Sequence, residues 1–115
     1  TAAVHSFSPV LGGIMRPWHI GITYLNRSPF IDYLIDVLEG KHNLIVGDNL
    51  PYPVTLEGDF TLPNHCSGPR TPSVLIEIRQ DLLQHKDSRD EFSHLIGDVL
   101  AGALNQADRR GWWKW

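Results

Sequence analysis

One cysteine, Cys66, is all the thiol chemistry this 115-residue chain has. A lone thiol closes no disulfide within the chain, so packing has to hold the fold, and a reducing, cytoplasmic setting suits it. Long apolar runs are lacking as well. Nothing approaches the roughly 20 residues that cross a bilayer, so no membrane partner is expected. Charge of one sign is not in excess: 10 Lys and Arg against 13 Asp and Glu give a net charge of −3. That balance gives phosphate backbones no electrostatic hold, and no nucleic-acid partner is expected. Three common catalytic signatures are missing too. There is no glycine-rich phosphate loop, no GxSxG elbow and no HExxH helix.

What is present is an ordinary globular composition, 42% hydrophobic and 20% charged. A chain of this length forms one domain, or a piece of one, and hides roughly two-thirds of its unfolded surface. It opens directly in an apolar run, Thr1-Ala2-Ala3-Val4. That opening reads as a chain cut into a strand, with part of a parent protein expected upstream.

The first strand is expected from Thr1 to Phe7, followed by an irregular loop at Gly12-Gly13 and Pro17. Trp18 to Leu25 is rich in β-branched and aromatic residues and reads as a second strand. Ser28-Pro29 starts a helix whose apolar stripe is Phe30, Ile31, Leu34, Ile35 and Leu38, stopping at Gly40. Asn43 to Val46 reads as a short strand. The stretch from Gly47 to Pro72 is longer than a compact domain leaves without a role. Ser88 and Glu91 have capping-box spacing, and Phe92, Leu95, Ile96, Val99, Leu100 and Ala103 then follow helical spacing. Gly97 and Gly102 within that helix suggest close packing against the sheet. The pattern predicts a single α/β domain over residues 1–115, with a mostly parallel or mixed sheet flanked by helices. The closing Arg109-Arg110-Gly111-Trp112-Trp113-Lys114-Trp115 could stack on bases. Such a tail more often packs back on the domain or on a second copy, which allows a homo-oligomer.

The most informative stretch is Val74-Leu75-Ile76-Glu77-Ile78-Arg79-Gln80-Asp81. Alternation puts Val74, Ile76 and Ile78 on one face of a strand, and Leu75, Glu77 and Arg79 on the other. Ionised groups are costly to bury without partners. The pair is therefore either a structural ion pair or part of a site. His5 ends the first strand, where α/β folds gather ligands. It is either a structural imidazole or one zinc ligand, since one histidine is never a metal site. His65 and Cys66 are adjacent and make a poor joint site. Asp48-Asn49 before Pro51 is at least a turn.

Five segments in order resemble the N-formylglutamate amidohydrolase family over nearly the whole chain. They are His5-Ser6-Phe7-Ser8-Pro9, Arg16-Pro17-Trp18-His19-Ile20-Gly21, Gly47-Asp48-Asn49-Leu50-Pro51-Tyr52, Thr61 to His65, and Ile76-Glu77-Ile78-Arg79-Gln80-Asp81-Leu82. Leu50 departs from the acidic residue of that family's GDNxPY pattern. The resemblance implies a zinc-carboxypeptidase-like fold and a zinc cofactor, with His5 as a metal ligand. Glu77 is then the carboxylate that activates the water on zinc, and Arg16, Asn49, His65 and Arg79 bind substrate or stabilise the oxyanion. An Arg suits that work because its planar fork matches a carboxylate.

The resemblance also implies that two further zinc ligands lie upstream, on a part of the domain that precedes His5. The expectation is then the C-terminal part of a larger amidohydrolase domain, hydrolysing the amide C–N bond of a small N-acyl amino acid such as N-formyl-glutamate. Two rivals stand beside it. One is a zinc hydrolase of another acyl-amino acid or peptide-like substrate. The other is a non-catalytic binding or assembly module lacking the metal half.

Overall fold

The computed structural model describes residues 2–51 and 73–112. They form an α/β unit with one mixed four-stranded sheet, a small hairpin and helices on the sheet. The sheet strands are β1 (Ala2–Phe7), β4 (Ile20–Thr23), β5 (Val46–Asp48) and β6 (Val74–Arg79). Their order across the sheet is β1-β6-β4-β5. The β1–β6 and β4–β5 pairs are parallel, and β4–β6 is antiparallel. β6 is therefore central, and every residue from Val74 to Ile78 is buried.

Ile20 and Ile22 of β4 and Val74, Ile76 and Ile78 of β6 face two helices, and the principal core lies between. Helix α1 (Pro29–Asp36) begins as its sequence predicts. Pro29 takes the first turn, and the Ser28 hydroxyl accepts a hydrogen bond from the Ile31 amide. Phe30, Ile31, Leu34 and Ile35 are its buried stripe. The helix does not stop cleanly at Gly40. It widens into a π-helical turn over Val37–Lys41 that carries Leu38 into the core.

Helix α2 runs from Lys86 to Arg110, and Phe92, Ile96, Val99 and Ala103 complete the core, with Leu95 and Leu100 at its margin. Its start differs from the predicted capping box. His85 occupies the cap position, while Ser88 lies inside the first turn and its hydroxyl donates to the Leu82 carbonyl at 2.5 Å. A short 3-10 turn, Gln80–Leu83, brings that carbonyl within reach, so tertiary structure overrides the local motif. The reading of the helix glycines is also corrected. A Cβ on Gly97 would meet open space, and one on Gly102 would approach the Tyr33 hydroxyl of α1 rather than the sheet. Gly111, at φ 65, ends the helix, and Trp112 folds back against Tyr33 with ring centroids 6.2 Å apart. To that point the aromatic tail packs on the domain.

Two further differences come from turns. Gly12 and Gly13, both at positive φ, are the two-residue turn of a hairpin between β2 (Val10–Leu11) and β3 (Ile14–Met15), where an irregular loop was expected. Successive positive-φ residues are what a tight hairpin turn needs. The strand expected at Asn43–Val46 lies later, at Val46–Asp48. Asn43 sits at φ 54 and the Leu44 amide still bonds to the Leu38 carbonyl, so pairing with β4 starts only at Val46.

Candidate functional site

The sheet face turned away from α1 and α2 holds the unusual residues. The register aligns His5 of β1, Glu77 of β6, Gly21 of β4 and Gly47 of β5 in one row across all four strands. Neighbouring strands lie about 4.8 Å apart, so His5 and Glu77 are adjacent on this face. Glu77 is only 4% exposed, whereas His5 is exposed.

The glycines in that row have a clear steric reason. A Cβ on Gly21 would collide with the Leu50 carbonyl oxygen and come within 3.0 Å of Pro51 Cδ. One on Gly47 would stand 2.8 Å from the same oxygen and 3.1 Å from Trp18 Cγ. The chain after β5 therefore folds back over β4 and β5, one strand away from Glu77. Asn49 sets up that return. It sits at φ 59, its amide donates to the Ile22 carbonyl, and its Oδ1 accepts from the Tyr24 amide. Asp48 beside it accepts from the Tyr24 hydroxyl and pairs with Arg27. Burial pushes the Asp48 carboxyl up, but the Arg27 and Tyr24 hydrogen bonds outweigh it and hold it below the usual range.

Arg79 lies one pleat from Glu77 on the same face, opposite Phe7. Its fork is taken within the fold. Nε and one terminal nitrogen donate to the two carboxylate oxygens of Asp81, at 2.7 and 3.2 Å, and the other reaches the carbonyls of Arg16 and Pro17. The bonds from Arg79 hold the Asp81 carboxyl below its ordinary range. Arg16 is buried, stacks on Phe7 with 5.7 Å from guanidinium carbon to ring centroid, and donates to the Ser8 carbonyl. His19 is fixed as well, its Nδ1 accepting the Ile45 amide at 2.9 Å.

The structure thus brings His5 of β1 together with Glu77 and Arg79 of β6, with Arg16 beside Phe7 at the end of β1. Asn49 stands on the far side of Gly21, where its described bonds shape the backbone. His65 lies outside the described residues. Gly21, Gly47 and Asp81 fall inside the quoted segments but have no role assigned from sequence. A glycine inside the strand run Ile20-Gly21-Ile22-Thr23 is the available signal, because it marks a close backbone approach. Asp81, two residues after an arginine that ends a strand, is a natural local partner.

A zinc site needs three protein ligands and an open position. His5 supplies one nitrogen, and among the described residues no group of three His, Cys, Asp or Glu gathers closely enough to hold a metal. The described residues therefore offer one imidazole beside one carboxylate, fewer than the three ligands such a centre needs. Among them, no helix is long and apolar enough to cross a membrane.

No family model and no curated protein sequence matches the chain. Among solved structures it is similar to gene product Atu2144 from Agrobacterium tumefaciens, with a TM-score of 0.79 and 31% identity. The match covers 93% of this chain and 43% of that one. This chain therefore spans less than half the length of the protein it matches.

Proposed function

We propose that this chain is the C-terminal part of a zinc-dependent amidohydrolase domain that hydrolyses the amide C–N bond of a small N-acyl amino acid of the N-formyl-glutamate type. The reading rests on the alignment of His5 with Glu77 in the β1–β6 register. That register sets an exposed imidazole beside a carboxylate almost withdrawn from water. The five-segment resemblance gives the pair its roles: His5 as one metal ligand and Glu77 as general base. Zinc, when bound, lowers the pKa of a coordinated water and polarises the scissile carbonyl. Glu77, as general base, would take a proton from the attacking water and return it to the leaving amine. Arg16 and Arg79 line the end of β1 and β6 next to that pair, where a substrate carboxylate would bind.

The test uses protein carrying the complete domain, purified without added metal. Zinc is measured directly and formate release is followed from N-formyl-glutamate. Glu77→Gln should keep the zinc and lose about 10²–10⁴ in turnover, the usual scale of general acid–base catalysis. His5→Ala should lower the zinc content itself. Near-normal turnover in Glu77→Gln would reduce Glu77 to a structural carboxylate.

A second reading, a non-catalytic binding or assembly module, is favoured by one observation. The forked nitrogens of Arg79 and the Oδ1 of Asn49, which a substrate would need, bond within the fold. Absence of zinc and of formate release from the complete protein would leave that reading standing.

A further inference from the structure

His19 is a histidine of the site face that the proposed reaction leaves without a role. It stands one residue before β4 and continues the antiparallel β4–β6 ladder, its carbonyl accepting the Arg79 amide at 3.0 Å. Strand alternation puts it on the face of Gly21, Glu77 and Arg79, one pleat from the His5–Glu77 row. It is fixed from the other side as well. The Ile45 amide donates to the ring Nδ1 at 2.9 Å, and the His19 amide donates to the Ile45 carbonyl at 2.9 Å. An imidazole nitrogen that accepts an N–H carries no proton of its own, so in the neutral ring the proton lies on Nε2. The tautomer is thus assigned by its hydrogen bond. The residue is half-buried, and among the described residues nothing accepts from Nε2–H. Backbone bonds on both flanks hold that donor in place before any ligand arrives.

We infer that His19 is a specificity residue: its Nε2–H donates to the α-carboxylate of the N-acyl amino acid and favours substrates that carry one. On the amidohydrolase reading, on which this rests, the scissile bond lies beside His5 and Glu77. The amino-acid half of the substrate then extends along the sheet to the next pleat, where His19 stands. A carboxylate suits that place. Among the described residues, Arg16 and Arg79 bring two guanidiniums to this row and Asp81 brings one carboxylate. Arg79 supplies charge but not its fork, because Nε and one terminal nitrogen are held by Asp81 and the other reaches two carbonyls. The directed N–H therefore falls to His19. A donor already oriented by the fold loses less freedom on binding than a flexible one.

Protein carrying the complete domain is tested with N-formyl-glutamate and with N-formyl-γ-aminobutyrate, the analogue in which hydrogen replaces the α-carboxylate. His19→Asn keeps an oxygen where Nδ1 accepts the Ile45 amide but has no N–H at the place of Nε2. It should melt as the parent does and keep kcat on N-formyl-glutamate, while KM rises about 10–100-fold, the scale of one hydrogen bond to a charged group. On the analogue, which has no α-carboxylate to lose, it should match the parent. His19→Gln reverses the exchange: its amide N–H reaches the place of Nε2, and the bond to Ile45 is given up. Its melting temperature should fall while KM stays near the parent's. Calorimetric titration of N-formyl-glutamate onto Glu77→Gln protein, with and without His19→Asn, should show the same loss of binding in the absence of turnover. Equal losses on both substrates in His19→Asn, an unchanged KM, or a KM in His19→Gln as high as in His19→Asn would each overturn the inference and leave the amidohydrolase reading standing. No zinc and no formate release in the parent would remove that reading, and the role of His19 with it.

Discussion

The two faces of the central strand β6 answer to different constraints. On one, Val74, Ile76 and Ile78 sit against α1 and α2 in a closed apolar core. On the other, Leu75, Glu77 and Arg79 share a surface with His5 and with two glycines over which a loop backbone lies. The first face is held together by volume, and nearly any apolar set of the right size could serve there. The second is held by particular atoms: the guanidinium fork of Arg79 on the Asp81 carboxylate, the backbone amide and Oδ1 of Asn49, and the missing Cβ of Gly21. A face that depends on particular atoms is where chemistry can be positioned, and the same strand supplies both.

That contrast is tested first by its largest effect. Leu34, 1% exposed, packs into the helix-side core. Leu34→Ala should cost about 2–5 kcal/mol of unfolding free energy, the usual range for emptying a buried leucine site. Denaturant titration measures it. A loss below about 1 kcal/mol would mean the core collapses around the gap, and that the closed face is looser than drawn.

Gly21→Ala probes the other face with a single methyl group. Its Cβ would strike the Leu50 carbonyl, which is backbone and cannot rotate away as a side chain tip would. Overpacking of this kind costs about 1–3 kcal/mol. Gly97→Ala is the matching control on the helix, where the added Cβ meets nothing. It should stabilise by up to about 1 kcal/mol through helix propensity alone. Opposite signs for the two glycines are the expected result of thermal melts. The same sign in both would show that the Leu50–Pro51 backbone does not rest on Gly21.

Periodicity made the helix-side face legible. The stripe Phe30, Ile31, Leu34, Ile35 and the series Phe92, Ile96, Val99 could be read because burial repeats with the helix. The alternation of Val74, Ile76 and Ile78 with Leu75, Glu77 and Arg79 was legible for the same reason. What could not be read depends on contacts far apart in sequence. The alignment of His5 with Glu77 follows from a strand pairing across some seventy residues, and no local pattern encodes that register. The Ser88 capping box failed because the Leu82 carbonyl, six residues away, offered its hydroxyl another partner. The Gly12-Gly13 hairpin was missed because the strands it joins are two residues each, too short to show alternation.

The smallest effect concerns whether Arg79 belongs to the fold or is available to a ligand. Its bidentate pair with Asp81 joins a side chain 16% exposed to one 38% exposed. At that exposure solvent screening limits the pair to about 0.2–1 kcal/mol. The pH dependence carries a definite sign. The Asp81 carboxyl is held below its ordinary range, chiefly by the hydrogen bonds from Arg79. The folded state therefore binds that proton less readily than the unfolded chain. Its contribution is fully present above the unfolded carboxylate pKa of about 3.9, and is lost as pH falls through the lower folded value. Asp81→Asn should accordingly lower the melting temperature slightly at pH 7, with the gap to the parent closing below about pH 4. Arg79→Lys, which keeps charge but not the fork, should lose a similar amount at neutral pH. A gap between parent and Asp81→Asn that persists undiminished to pH 2 would assign the loss to packing, and leave Arg79 without an ionic role in the fold.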